Sequence, residues 1–477
     1  MKKKICAGCK KPSCDGCRWN MKEKLHTNKT KTIGSMSGLA NGGKGDYGLV
    51  FDVGTTTVAG YLWNMQTGEC ICAESMANPQ RKYGSDVVSR ITYCLDEKGT
   101  CEEKRLQELQ KMIVEALDYL AGNLDSSVLQ TEEGLPGCNI RKVVVVGNTA
   151  MCSIVAGISV ESLGKAPFKL PYFQSVRCRG SELGFVHLRE TDIVTLCAID
   201  GYVGADALSV YHYVKEMDHR KNILAVDIGT NGEIILIGEN KIYACSTAAG
   251  PALEGAAVTQ GMCGTEGAIE EVKMIGSFPQ EDILCRAIGE IKPQGICGSG
   301  LVDALALLYK LQVIDKDGYL RSRDEARKAG ARERICRRII EIGGERKFLL
   351  TDEEYPVYLT AGDIRQLQLA KGAIAAAIQI LLDKADLNVG DLSGIYLAGA
   401  FGNYIKRESA IAIGLLPGVN KDMVMPIGNC AALGGAMALL SEDAIKEMEQ
   451  SALEIEHVEL AKETDFEKYF VQFMSMP

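Results

Sequence analysis

Four cysteines open the chain in Cys6-Ala-Gly-Cys9-Lys-Lys-Pro-Ser-Cys14-Asp-Gly-Cys17. So many thiolates in so short a segment point to one shared centre. A disulfide pair is disfavoured in a reducing compartment. A zinc site made of two C-x2-C pairs normally has a longer spacer. Gaps of two, four and two resemble the dense thiolate runs that hold iron–sulfur clusters, although they match no standard ferredoxin spacing. Cys6, Cys9, Cys14 and Cys17 are therefore read as ligands of a 4Fe–4S cluster, ahead of zinc, 2Fe–2S and no metal. Trp19 and Lys10-Lys11 are candidates for shielding the cluster or docking it to an acidic partner; a solvated charge run reads the lysines equally well.

A second chemistry is written twice. "GLVFDVGTTTVAGYLW" (48–63) and "ILAVDIGTNGEIILIG" (223–238) share one layout: an apolar run, a lone aspartate, a turn of small polar residues, a second apolar run. A turn of Gly and Thr between strands directs several N–H groups and hydroxyls at one point, and such a nest binds anions, phosphate above all. An aspartate beside it repels phosphate directly but can hold a hydrated Mg²⁺, which keeps its waters and uses few carboxylates. Two such turns could clamp a polyphosphate. One alone would read as an ordinary hairpin. No G-x-x-x-x-G-K-[ST] occurs, so the chain is not a P-loop protein.

These residues need elements to hold them. After each Asp-x-Gly turn comes a second strand, a tight turn (64–68; 238–240) and a third strand (69–74; 242–246), so each half opens with a three-stranded antiparallel meander. Leu106, Leu109, Ile113, Leu117 and Leu120 have helical spacing, predicting an amphipathic helix over 101–123. Strands at 141–146 and 395–397 lead into Gly147-Asn148-Thr149 and Ala398-Gly399-Ala400-Phe401-Gly402. Alternating strands and helices predict two α/β lobes with a cleft between them. The expected plan is a four-cysteine segment (1–20), a polar, aperiodic linker (21–46), lobe I (47–215), lobe II with a returning helix (216–442) and a C-terminal tail (443–477). The linker would span roughly 25–30 Å.

Composition narrows the partners. The net charge is −9, with no basic run beyond Lys2-Lys3-Lys4, which argues against nucleic acid. No apolar stretch is long enough to suggest a membrane span, and no signal peptide is recognisable. A cytoplasmic location is expected. Eighteen cysteines in such a chain mean metal ligands or buried thiols, and an anaerobic or strongly reducing cytoplasm. Cys70, Cys72, Cys152, Cys197, Cys245, Cys297 and Cys430 sit singly among apolar or small residues and read as core packing.

The order of motifs resembles the superfamily of actin, heat-shock chaperone and sugar-kinase ATPases. The first phosphate loop is Asp52–Thr57, a connecting helix lies in 200–212, and the second phosphate loop is Asp227–Glu233. An adenosine loop looks like "YLAGAFGNYI" (396–405), and a second connecting helix is "GNCAALGGAMALL" (428–440). The resemblance covers 47–442. Within it, "AAGPALEGA" (248–256), "GICGSGLVDALA" (295–306), "RQLQLAKGAI" (365–374) and "AGAFGNYIKRESAIAIGLLP" (398–417) are similar to the reductive activators of corrinoid proteins. That family's pattern includes an N-terminal plant-type ferredoxin domain with a 2Fe–2S cluster and a further domain; here the short four-cysteine segment stands in that place.

The resemblance implies a duplicated, two-lobe actin-like ATPase that uses ATP to help return a Co(II) corrinoid to Co(I) in a methyltransferase system. It implies ATP, Mg²⁺ and an iron–sulfur cluster, a corrinoid-protein partner, a low-potential donor such as ferredoxin or flavodoxin, and a homodimer. No Asp-x-His-x-x-Gly corrinoid-binding signature occurs, so the corrinoid would be held by another protein. By residue, Asp52 and Asp227 would position Mg²⁺ and the attacking water. Gly54, Thr55, Thr56, Thr57, Gly229, Thr230, Asn231 and Gly232 would cradle phosphates. Glu233 or Asp206 would orient the water, with Asp200 a weaker candidate; Asp206 could instead simply cap its helix. Glu254 would reach the ribose or be a satisfied core carboxylate, and Gly399, Gly402 and Asn403 would line the adenine. The five histidines show no metal spacing. Two alternatives are a small-molecule kinase with a zinc-stabilised tail and an activator of 2-hydroxyacyl-CoA dehydratases. The latter keeps its cysteines inside the ATPase fold, unlike this chain. A third is a nucleotide-dependent binding module without electron transfer.

Overall fold

The computed structural model describes residues 46–128, 139–277, 281–352, 354, 356–402 and 404–477. The four N-terminal cysteines, the linker and Asn403 lie outside the described residues. The described chain divides into two compact units, one comprising 46–219 and 429–457, the other 220–428 and 458–477.

In the first unit, β1 (Asp46–Val53), β2 (Thr57–Asn64) and β3 (Glu69–Ala77) form the expected antiparallel meander. β4 (Asn139–Gly147) lies parallel beside β1, followed by β6 (Asp192–Thr195) and, at the edge, β5 (Val176–Arg179). The centre of β1 is buried on both faces, as suits a strand covered by helices on both sides. Leu49, Phe51, Val53, Val143 and Val145 share one core with the leucines of helix Glu103–Val128. The alternate residues, Val50 and Val146, meet helix Cys430–Leu440: a Cβ on Gly435 would lie 2.8 Å from Val50 and 3.1 Å from Val146. One on Gly434 would lie 2.2 Å from the Ser209 carbonyl. Helices Cys430–Leu440 and Ala205–Met217 therefore cross backbone to backbone, as their small residues implied.

The expected helix over 200–212 begins only at Ala205. Before it, Val203 N donates to Asp200 O and Ile199 N to Val203 O, closing a turn that cannot be helical. Asp206 consequently sits in the helix's first turn.

The second unit repeats the opening. β7 (Ile223–Ile228), β8 (Gly232–Ile237) and β9 (Ile242–Thr247) form a meander. Strand Gly394–Ala398 runs parallel beside β7, and Val424–Gly428 parallel beside that. Helix Ala361–Lys384 starts at a capping box between Thr360 and Asp363 and contributes Leu367, Ile374, Ile378 and Leu381 to the core. Helix Phe466–Met474 packs along it. The fully buried Lys371 donates to Ser475 O over 2.7 Å and to Phe473 O, which satisfies the ammonium without a carboxylate. Cys152, Cys197, Cys245, Cys297 and Cys430 are buried, while Cys70 and Cys72 are half-buried on β3.

Candidate nucleotide-binding loops and carboxylates

In the first unit the expected loop joins the ends of β1 and β2, and four other elements converge there. Asp52 sits opposite Ala59 of β2 and in register with Val146 of β4. Its Oδ2 accepts a hydrogen bond from Asn429 Nδ2 at 2.6 Å, and the same nitrogen lies 3.0 Å from the Tyr61 hydroxyl. Asn429 is the N-cap of helix Cys430–Leu440: its Oδ1 accepts from Ala432 N. That bond turns the amide nitrogen toward Asp52. Burial raises the Asp52 pKa, and the Asn429 hydrogen bond opposes the rise.

Asp206 reaches the same end of the sheet. Its Oδ1 accepts from Ala207 N at 2.8 Å. A Cβ on Gly204 would lie 2.6 Å from that oxygen and 2.4 Å from Asn148 Cα, so only glycine allows this approach. The Asp206 carboxyl is pushed up to about 7, chiefly by burial and then by the charge of Asp52, against the pull of the Ala207 amide. Two carboxylates thus share one partly dry site. Such an uncompensated acidic pair is chemically suited to a divalent cation, whose charge would favour the ionised forms. Among the described residues no group of three or more His, Cys, Asp or Glu side chains is placed to hold a metal. Hydrated Mg²⁺ requires only one or two carboxylates.

Thr55 is buried, and its Oγ1 accepts from Asn148 Nδ2; Thr56 and Thr57 are half-buried. Asp200 faces elsewhere: its Oδ2 meets His457 Nδ1 at 2.5 Å, and its carbonyl accepts from the Thr149 hydroxyl.

The second unit builds a parallel arrangement from its own residues. Asp227, next to last in β7, lies directly opposite Glu233 of β8 and in register with Ala398. Gly399 follows with φ +83°, and a Cβ there would lie 2.3 Å from Asp227 Oδ1. In the loop between β7 and β8, Gly229 N donates to Asn231 O. The Thr230 hydroxyl donates to Glu254, whose short 3-10 turn Pro251–Glu254 brings it there. Glu254, expected at a ribose, thus holds Thr230 of the loop between β7 and β8. Glu233 Oε1 accepts from the Ser246 hydroxyl at 3.3 Å.

After Gly399–Gly402 the chain is anchored by a cluster the sequence reading missed. Lys406 Nζ bridges Asp303 Oδ2 and Glu271 Oε1, each at 2.8 Å, and Ser409 donates to Asp303 Oδ1 at 2.6 Å.

Comparison with known proteins divides the chain in two at Arg220 and Lys221. Residues 221–477 match the family model for the C-terminal domain of RACo, the ASKHA domain, and residues 47–220 match the RACo middle region. The chain belongs to the RACo family. A relative within reach, the corrinoid activation enzyme RamQ of Eubacterium limosum, is 34% identical over 435 residues, covering 90% of this chain and 70% of RamQ. A [Co(II) methylated amine-specific corrinoid protein] reductase of Methanosarcina barkeri is 24% identical over 456 residues, covering 89% of this chain and 76% of the reductase. The solved structure of a reductive activator for corrinoid, iron–sulfur protein superposes with a TM-score of 0.78 at 29% identity, covering 92% of this chain and 67% of that one. The chain thus has the ASKHA fold. No helix among its described residues is long and apolar enough to cross a membrane.

Proposed function

We propose that this chain returns a Co(II) corrinoid, held by a separate protein of a methyltransferase system, to Co(I). The observation that carries the reading is the similarity to RamQ across nine-tenths of the chain. One electron would come from a low-potential donor such as ferredoxin or flavodoxin, pass through a cluster on Cys6, Cys9, Cys14 and Cys17, and reduce cobalt by one unit. ATP is hydrolysed to ADP and phosphate alongside. Reduction to Co(I) is uphill from ordinary donors, and a cluster alone cannot shift that equilibrium. Nucleotide can, if its two states bind the corrinoid partner differently.

Within the ATPase units, Asp52 and Asp227 are the proposed carboxylates for Mg²⁺, which when bound would screen the phosphate charge. The Gly54–Thr57 and Gly229–Gly232 turns would hold phosphates through their N–H groups. Asp206 or Glu233 would orient the attacking water, and Gly399 and Gly402 would lie toward the adenine.

The test combines the purified chain with a Co(II) corrinoid protein, a low-potential donor and Mg-ATP under anaerobic conditions. The expected result is the Co(I) absorption spectrum, lost when ATP is omitted. Equal reduction without ATP would overturn the coupling.

A further inference from the structure

The first phosphate loop is held from behind. The Gly54 carbonyl accepts from Asn78 Nδ2 at 2.8 Å, the Thr55 carbonyl from Arg90 Nη2, and the Thr56 carbonyl from Asn78 N at 2.9 Å. Three successive peptide oxygens thus have donors within the same unit. Asn78 and Arg90 are themselves buried, at 1% and 0% exposure.

The donors are fixed in turn. Asn78 caps the 3-10 turn Pro79–Tyr83, its Oδ1 accepting from Gln80 N. Gln80, also fully buried, donates to the Leu109 carbonyl and accepts from Arg90 Nη1. Arg90 Nε donates to Gly84 O, and its Nη1 lies 3.1 Å from Met151 Sδ. A polar chain therefore runs from helix Glu103–Val128 through Gln80 and Arg90 to the loop.

Arg90 is a buried cation whose contacts are neutral. Among the described residues no carboxylate forms an ion pair with it; the neighbouring Asp86 is occupied with Ser85 and Ser89. A desolvated guanidinium is costly, and the charge of the nearby Asp86 offsets only part of that burial. Its position against the loop gives that charge a use: it adds a positive field where an anion would bind. In a trans peptide the N–H points opposite to the C=O, so carbonyls drawn toward one side turn the intervening N–H groups toward the other, which is the geometry of an anion nest.

We propose that Arg90 and Asn78 are positioning residues that set the peptide orientation of the Gly54–Thr57 loop and supply its buried positive charge, so that they act on the polyphosphate of the nucleotide and not on its nucleoside. This rests on the reading of that loop as a phosphate site.

Binding of Mg-ATP and of adenosine to the full chain is measured by calorimetry, with a thermal melt for each variant. Arg90→Lys keeps the charge but loses the fork of donors. Arg90→Met loses both. Asn78→Ser keeps a capping oxygen for Gln80 N but removes the donor to Gly54 O. A hydrogen bond to or from a charged group is worth about a tenfold change in affinity. Arg90→Met and Asn78→Ser should each weaken ATP at least that much while adenosine binding holds, with Arg90→Lys intermediate. If Arg90→Met fails to fold, Asn78→Ser carries the test. Equal loss of ATP and adenosine, in step with the melting temperature, would mean a merely structural role and overturn the proposal, as would unchanged ATP affinity in folded variants. Absence of nucleotide binding in the unmodified chain would instead overturn the phosphate-site reading itself.

Discussion

Asn429 Nδ2 donates to Asp52 Oδ2 over 2.6 Å while Asn429 Oδ1 caps the helix that follows. One side chain therefore ties the carboxylate at the end of β1 to the start of helix Cys430–Leu440. Asn429→Ala should lose both bonds. The lost cap costs about 1 kcal/mol of stability. Without the opposing hydrogen bond, burial should raise the Asp52 pKa further. The acid limb of ATP turnover should move to higher pH in the variant, and an unmoved limb would remove Asn429 from the site.

Asp206 makes a pH prediction of definite sign. In the fold its proton is retained up to about pH 7, against an ordinary value of 3.8. Between those values the folded state binds more protons than the unfolded state, so this group's contribution to stability is full below the lower value and is lost as pH rises through the upper one. Asp206→Asn retains an oxygen for the Ala207 amide and removes the titration. Its melting temperature relative to the unmodified chain should rise between pH 5 and pH 8. If Asp206 orients the water, turnover should also fall by about a hundredfold. A flat stability difference would refute the shifted titration, and intact turnover would leave the water to Glu233.

Both strand–turn–strand segments proposed as phosphate loops were legible because their pattern is local: an apolar run broken by Asp and small polar residues can be read without a partner. The crossing of helices Ala205–Met217 and Cys430–Leu440 was legible for a similar reason, since Gly434 and Gly435 announce a close approach. Asn429 was half legible. A polar residue before an apolar helix signals a cap, but its second partner lies 377 residues earlier. Arg90 was not legible at all. In Val-Val-Ser-Arg-Ile-Thr-Tyr-Cys it reads as the polar face of a short helix, and only tertiary packing makes it a buried donor to a loop 35 residues away. For Asp206 the sequence offers two roles, helix cap or orienter of the attacking water. The structure gives it the first-turn position and also the neighbouring charge of Asp52.

Lys406 and Asp303 offer a test of how the 394–406 segment is held. Asp303 is 3% exposed and Lys406 more accessible. Removing one partner of a buried pair leaves an uncompensated charge, which costs about 3–5 kcal/mol; partial exposure of Lys406 favours the low end. Lys406→Met should therefore lower the melting temperature clearly, and adding Asp303→Asn should recover part of the loss. Independent, additive effects in this double-mutant cycle would show that the two side chains do not support each other.

The last prediction concerns the four cysteines outside the described residues. Their spacing reads as a cluster site, and the polar stretch 21–46 separates them in sequence from the two described units. Cluster and ATPase should then fail separately. Replacing Cys9 and Cys14 with Ser should abolish the visible thiolate-to-iron absorption and the bound iron and sulfide, yet leave the proposed basal ATP hydrolysis and the melting transition of the two units in place. Reduction of the Co(II) partner should stop in the same variant, because ATP turnover supplies no electron. Two results would redirect the argument. Stoichiometric zinc without sulfide in the unmodified chain would make the segment structural. Undiminished cobalt reduction by the double-serine variant would mean that the electron reaches the corrinoid by a route that bypasses this chain's cysteines, leaving the ATPase to act on the partner's cobalt ligation alone.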